Sequence, residues 1–392
     1  MMFLIIIAIW RLVLFCSAYF AQIKIPFVPR FPYADVYLVP SQLPQWLWGW
    51  ANFDGVHYLT IAKFGYKAQF TQVYFPLFPL LLRGLGRLFA DDYLILSGLF
   101  VSFVCFIGAI YVFQRLLDID YGYNVNKFRI LLMQLVFPTS FFFAALYTES
   151  LFLLLVMLSF LLARKKKWWL CAAVGSLATF TRITGIFLLP ALLWEFFQDH
   201  KSKNQENSKN IKNSAPSSLI IKGFQPLIRS PILYLLPIGL ISYMVYLQIF
   251  FGDALYFWHA QGVFGAERAG HSLVFPLQTL WRYIKIITTV SNGDALLPAL
   301  MELGAFLLGV VLLVKASKSV RISYLIFSWL VLFVPLLTGT LSSLPRYVLL
   351  AFPIYIVLGK IKSNVLFSIV VFIFTLLLIY LTSRFISGRW VA

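Results

Sequence analysis

Charge is scarce in this chain. Asp, Glu, Lys and Arg make up 12% of its 392 residues, where a soluble domain carries about a quarter. Acid is scarcer still: 14 Asp and Glu stand against 32 Lys and Arg, for a net charge of +18. Cysteine is nearly absent. Cys16, Cys105 and Cys171 all lie inside apolar runs. That excludes a disulfide framework and leaves them as small buried hydrophobes. His57, His259 and His271 are scattered without metal-ligand spacing, which argues against zinc.

What the chain has instead is apolar surface. It is 61% hydrophobic and 18% aromatic, with 40 Phe, and its mean hydropathy is +0.86. No water-soluble core of this length buries so much, so the solvent is lipid. The expected fold class is an all-α polytopic membrane protein. About eleven apolar runs approach the ~20 residues that a span needs. They centre on Val13, Phe103, Phe137, Val156, Leu177, Leu189, Leu240, Leu308, Leu330, Pro353 and Phe372. The first run lacks a small-residue cleavage site and reads as a retained helix.

The basic residues follow topology rather than nucleic acid. They cluster at Arg164–Lys167, 201–229, Lys315–Arg321 and Lys360–Lys362. Placing these clusters in the cytoplasm lets the helices alternate without conflict. Residues 24–92 then form a long first outer loop with interfacial helices, and 252–294 a second. Residues 201–230 read as a basic cytoplasmic linker, of which Lys201–Ser218, low in complexity, reads as disordered. They separate an N-terminal membrane half, 1–200, from a C-terminal half, 231–392.

Five polar stretches fall on the outer face. They are Asn52 to Tyr58, Tyr147 to Ser150, Thr181 to Gly185, Trp258 to Gln261 with Glu267 and Arg268, and Ser343 to Tyr347. On a helix, Asp54, His57, Tyr58 and Ile61 share one face. Asp54 there is either a general base or an N-terminal helix cap. His57 is either a modulator of Asp54 or an ordinary polar face residue. Glu149 and Arg182 are functional candidates near membrane depth, or a buried ion pair. Arg346 opens a helix against the dipole, so a carboxylate or a ligand phosphate should offset it. Asp118-Ile119-Asp120 reads as a solvated loop on the cytoplasmic side. Asp91-Asp92 reads as a helix start.

The motifs resemble those of a known family. Phe53-Asp54-Gly55-Val56-His57-Tyr58-Leu59, Gly65-Tyr66 and Tyr74-Phe75-Pro76-Leu77-Phe78-Pro79-Leu80 look like the first-loop signature of the PIG-V mannosyltransferases. Pro138 with Tyr147-Thr148-Glu149-Ser150-Leu151-Phe152, Thr181-Arg182-Ile183-Thr184-Gly185 and Pro345-Arg346-Tyr347 look like later motifs. Phe53 departs from the family, whose members usually carry Trp there. The resemblance implies a GT-C membrane glycosyltransferase. It implies transfer of a sugar, mannose in the family, from a polyprenyl-phosphate donor to an acceptor hydroxyl with inversion. Asp54 would be the base, and Arg346 and Arg182 would bind the donor phosphate. His57, Tyr58, Tyr66, Glu149, Gln261 and Tyr347 would contact substrate. No cofactor or metal is implied. The expected partners are the donor, a glycan or glycolipid acceptor and membrane lipids, with no nucleic acid. The expected membrane is a prokaryotic plasma membrane or the endoplasmic reticulum, with the site on the extracytoplasmic side. A lipid or glycolipid transporter is the alternative, and it predicts polar residues through both halves of the membrane and internal repeats.

Overall fold

The computed structural model describes residues 2–89, 93–208, 231–264, 273–290 and 293–391. Residues 209–230 of the basic linker, together with Asp91, Asp92, Glu267, Arg268 and His271, lie outside the described residues. Among the described residues every regular element is a helix, as the composition predicts. Those of seven residues or more are α1 (Met2–Lys24), α2 (Asp54–Phe64), α3 (Leu77–Phe89), α4 (Leu94–Tyr121), α5 (Lys127–Val136), α6 (Glu149–Arg164), α7 (Trp168–Thr181), α8 (Leu188–Ser208), α9 (Ile238–Phe251), α10 (Pro276–Thr289), α11 (Gly293–Ala316), α12 (Ile322–Phe333), α13 (Leu344–Leu350), α14 (Pro353–Gly359) and α15 (Asn364–Ile386).

Five helical stretches are long and apolar enough to cross a bilayer: Phe3–Lys24, Leu94–Tyr121, Ile232–Phe251, Leu296–Ala316 and Asn364–Ile386. The other expected spans fall on shorter pieces, and proline accounts for two of the breaks. Pro138 follows the end of α5, and Pro353 separates α13 from α14; proline removes a backbone donor and clashes with the preceding turn. α1 packs along α15, and both turn large apolar residues outward, among them Leu12, Phe20, Phe372 and Leu376. Cys16 is exposed on α1 rather than buried. The middle of the molecule is denser. α4 packs on α6, α6 on α7, α5 on α14 and α8 on α12. One hydrophobic cluster runs from Ile7 to Val391 and joins both halves of the chain.

The helix ends define two poles. At one, Asp120 accepts hydrogen bonds from Arg164 Nε (2.9 Å) and the Tyr324 hydroxyl (2.6 Å). Glu195 accepts from Arg321 Nε (2.8 Å) and Nη2 (3.0 Å) and from Ser323 Oγ (2.5 Å). Arg164 and Arg321 each also reach the other carboxylate at 3.9 Å. Asp120 is therefore no solvated loop: it ends α4 with its side chain 3% exposed. Its neighbour Asp118 pairs with Lys127 at the surface. The Lys360 ammonium stands 4.7 Å from the Tyr121 ring centre, and the Tyr121 hydroxyl donates to the Ser319 carbonyl. Three basic clusters thus meet at this pole.

Candidate active site

At the opposite pole, residues from α2, α6, α7 and α13 converge. α2 starts from Phe53, whose φ of 58° is rare for a residue with a side chain. The turn is held from three sides. The Phe53 ring packs on Phe31, Phe385 and Trp390. Asn52 Nδ2 donates to the Phe385 carbonyl (2.7 Å) and the Ile386 carbonyl (3.2 Å). The Tyr147 hydroxyl donates to the Asn52 carbonyl (2.9 Å) and accepts from the Asp54 backbone N–H (3.2 Å). A Cβ on Gly55 would lie 3.2 Å from Ala51 Cβ and 3.4 Å from the Leu146 carbonyl, so glycine lets α2 sit this close. Residues Gly55 to Ala62 are all buried. α2 is therefore enclosed by protein rather than laid on a surface by one apolar face.

Asp54 is the first residue of α2, and the N-cap position before it is Phe53, which makes no side-chain capping bond. The Asp54 carboxylate reaches across the chain. Oδ2 accepts from Arg346 Nη1 at 2.5 Å, and Oδ1 from the Tyr74 hydroxyl at 3.1 Å. The anion that offsets Arg346 is thus a carboxylate of the protein. α13, which carries Arg346, also starts from a positive φ, at Ser343 (69°). Arg346 Nη2 donates to Ser343 Oγ at 2.9 Å. Both halves of the pair spring from backbone that costs about 1–3 kcal/mol to hold.

The pair continues into a second one. Glu149 Oε1 lies 3.8 Å from Arg346 Nη1 and accepts from Arg182 Nη1 at 2.8 Å. Glu149 is fully buried, so the ion pair envisaged from the sequence is present. Arg182 also lies over the Tyr347 ring at 5.2 Å. Two polar atoms of the group are buried without a hydrogen-bond partner, Glu149 Oε2 and Arg346 Nε. Buried polar atoms are usually satisfied, so these are open valences.

Burial pushes the Asp54 carboxyl up. The Arg346 guanidinium more than reverses that, with smaller help from His57 and Tyr74, and the group sits below the usual carboxylate range. Burial pushes His57 below the usual histidine range, against the pull of Asp54. At neutral pH the site therefore holds an ionised Asp54 beside a neutral His57, whose ring stacks on Tyr74 at 5.0 Å.

A cleft of about 450 Å³ opens over this group. Asp54, His57, Tyr58, Arg182, Gln261, Arg346 and Tyr347 line it. Glu149 lies beneath the floor. Tyr66 lies elsewhere: it lines a separate apolar cavity of about 390 Å³ with Tyr243 and Tyr246, and its hydroxyl donates to the Tyr74 carbonyl at 2.6 Å. It braces the wall behind Tyr74. His259 is paired with Asp253 at 2.6 Å. Among the described residues no three His, Cys, Asp or Glu stand close enough to hold a metal ion. Sequence reasoning gave no role to Tyr74, Tyr147, Arg30 or Trp390. Tyr74 and Tyr147 lay in the motifs themselves; Arg30 and Trp390 carried no signal beyond prolines or aromatics near a charge.

The site is a carboxylate–guanidinium array under a polar cleft, at one end of an apolar helical membrane protein. Residues 1–285 match the mannosyltransferase (PIG-V) family, and the chain belongs to that family. It is therefore a glycosyltransferase by family. The match ends before Arg346, so that residue's membership of the site rests on its geometry. No curated protein and no solved structure matches the chain.

Proposed function

We propose that the protein transfers a sugar, mannose by family, from a polyprenyl-phosphate donor to an acceptor hydroxyl at the outer face of its membrane, with inversion, on a GT-C-type scaffold. The observation that carries this reading is the Asp54–Arg346 pair at the floor of the cleft. Asp54 removes the proton of the acceptor hydroxyl. The acceptor oxygen attacks the anomeric carbon from the face opposite the phosphate. The bond from that carbon to the phosphate oxygen breaks, and the polyprenyl phosphate leaves with the electron pair. Arg346 and Arg182 stabilise the charge that grows on it. Glu149 orients Arg182. Tyr58 and Tyr347 flank the sugar, and His57 and Gln261 offer it hydrogen bonds.

The pairing suggests an order of events. A carboxylate held below its usual range is a weak base while Arg346 grips it. A phosphate that shares Arg346 loosens that grip. Burial then raises the basicity of Asp54 once donor is in place.

A transporter would need a polar path between the two poles. α6 connects them, and between Ser150 and Ser159 its buried residues are Leu151, Phe152, Leu153, Leu155, Val156 and Met157. That apolar interval favours the transferase. Purified protein incubated with labelled polyprenyl-phosphate mannose and glycolipid acceptors should form a labelled, configuration-inverted product. No product from any polyprenyl-phosphate sugar would sink the reading. Sidedness has its own test. In a cysteine-free background, a cysteine at Lys67 should react with impermeant thiol reagents in intact cells, and one at Lys166 should resist them.

A further inference from the structure

The segment that leads into α13, and so to Arg346, is gripped from behind by α10 and the residues just before it. Thr279 Oγ1 donates to the Leu336 carbonyl at 2.8 Å. Val274 N–H donates to the Leu337 carbonyl at 2.9 Å, and Arg282 Nη1 to the Gly339 carbonyl at 3.3 Å. Gly339 turns the chain with φ of 81°, and a Cβ there would stand 3.1 Å from Val274 Cγ2. One face of α10 turns Leu277, Trp281 and Ile284 outward. Its buried residues are Thr279 and Tyr283, one turn apart, and both bond to this segment.

Tyr283 makes the contact nearest the site. Its hydroxyl donates to Glu302 Oε2. The same oxygen accepts from the Leu341 N–H at 3.0 Å and bonds Thr340 Oγ1 at 3.1 Å. A phenol has one proton to give. Glu302 takes it, which leaves the oxygen's lone pairs for the loop. Glu302 comes from α11 and is 5% exposed. A carboxylate inside an apolar span is costly and points to a function; this one directs a tyrosine. The bonds run on toward Arg346. Thr340 Oγ1 accepts from Ser342 N–H at 3.1 Å. The Leu341 carbonyl accepts from Leu344 N–H at 2.9 Å. Arg346 Nη2 donates to Ser343 Oγ at 2.9 Å. Thr340 to Leu344 are thus tied in a row around Ser343, whose φ of 69° starts α13.

We propose that Tyr283, its hydroxyl directed by Glu302, is a positioning residue that sets Arg346 against Asp54. This rests on the reading that the Asp54–Arg346 pair carries the transfer. Neither Tyr283 nor Glu302 lines the cleft, so both act through the loop. A loop freed at Thr340 and Leu341 lets Ser343 leave its unfavourable φ. The Arg346 guanidinium then shifts away from Asp54 and from the cleft. A displacement of about 1 Å at a reacting centre can cost about 10²-fold in rate.

Tyr283→Phe keeps the ring and removes the hydroxyl. On the full chain, infrared difference spectra between acid and neutral pH follow the protonation of Asp54, once those of Asp54→Asn are subtracted. Arg346, His57, Tyr74, Tyr58 and Tyr147 face that carboxylate, and the variant alters none of them. A displaced Arg346 holds Asp54 ionised less well, so the titration should move up in Tyr283→Phe. In the same variant kcat/KM for sugar transfer should fall about tenfold. Most of the loss should lie in kcat, because Arg346 acts on charge that grows in the transition state. Thr340→Val cuts only the link to Ser342 N–H. It should move the titration the same way by less, and it carries the test if Tyr283→Phe does not fold. Thr279→Val removes the bond to the Leu336 carbonyl, upstream of the Gly339 turn, and should leave the titration where it is. An Asp54 titration unmoved in Tyr283→Phe and Thr340→Val overturns the inference, whatever their thermal midpoints. A shift as large in Thr279→Val marks general loosening and overturns it too. The infrared arm needs no turnover: a wild type that transfers no sugar refutes the functional reading, while the titration still decides the placement of Arg346.

Discussion

Glu149 and Arg164 stand at the two ends of α6, roughly 22 Å apart at 1.5 Å per residue. Each belongs to a group of two carboxylates and two guanidiniums. The Arg164 group is closed. All four carboxylate oxygens of Asp120 and Glu195 have a nitrogen or hydroxyl partner, and a small surface hollow of about 290 Å³ touches it. The Glu149 group is open. It lies under a 450 Å³ cleft, leaves Glu149 Oε2 and Arg346 Nε without partners, and springs from two residues with positive φ. The residue types are the same; the geometry separates a fastener from a site. Strain and open valences are tolerated where the surroundings gain something from them.

The sharpest way to break the comparison is to remove one negative charge from each group. Asp54→Asn keeps size and most hydrogen bonding but cannot take a proton as a carboxylate does. Transfer should fall about 10²- to 10⁴-fold, with a thermal midpoint near wild type. Product formation and thermal unfolding measured on the same sample check this. An active Asp54→Asn protein would move the base to Glu149. At the other pole, Glu195→Ala leaves the half-buried Arg321 without its main anion. Arg321 keeps a third of its side chain in solvent, so the loss should be about 1–3 kcal/mol, read as a lower thermal midpoint in detergent while activity per folded molecule holds. If activity falls without the stability loss, the closed group is more than a fastener.

A third test uses pH. Asp54 sits below the usual carboxylate range chiefly because of Arg346. Its contribution to stability is fully present above the unfolded value of about 3.9 and is lost only as pH falls through the lowered folded value. The acid limb of kcat/KM should therefore lie below the ordinary carboxylate range in wild type. Arg346→Gln leaves burial as the main influence, so the limb of its residual activity should move up. A limb that stays in place belongs to another group. The smallest expected effect is that of Tyr74→Phe, which removes one hydrogen bond to Asp54 Oδ1. A loss of about 1 kcal/mol, roughly fivefold in kcat/KM, should result.

Composition made the helical, lipid-facing character legible, because so few charges leave no other solvent for 61% apolar residues. The number of spans was less legible. Hydropathy counts apolar length and does not register that Pro138 and Pro353 interrupt it. Arg182 and Glu149 were legible as a pair because both were ionisable residues where apolar runs turn. The contact between Asp54 and Arg346 was not. The two are 292 positions apart, and no periodicity relates them. The enclosure of α2 was missed for a related reason. A short helix with a polar face looks interfacial until the neighbours that cover its other sides are known. The place of Arg30 on the cleft wall was invisible because backbone hydrogen bonds from Val28 and Arg30 to the far end of the chain set it.

Those long-range contacts have a consequence for how the protein is made. Asn52 holds the carbonyls of Phe385 and Ile386 across more than three hundred positions, and Val28 and Arg30 fasten to residues 387 and 388. The N-terminal part of a chain emerges and begins to fold first. Asp54 therefore waits through most of synthesis without its arginine or the turn that aims it. The cleft closes only when α15 has been threaded into place beside α1. A nascent or prematurely stopped chain lacks the contacts that complete the cleft, and packing of α15 is the step that supplies them.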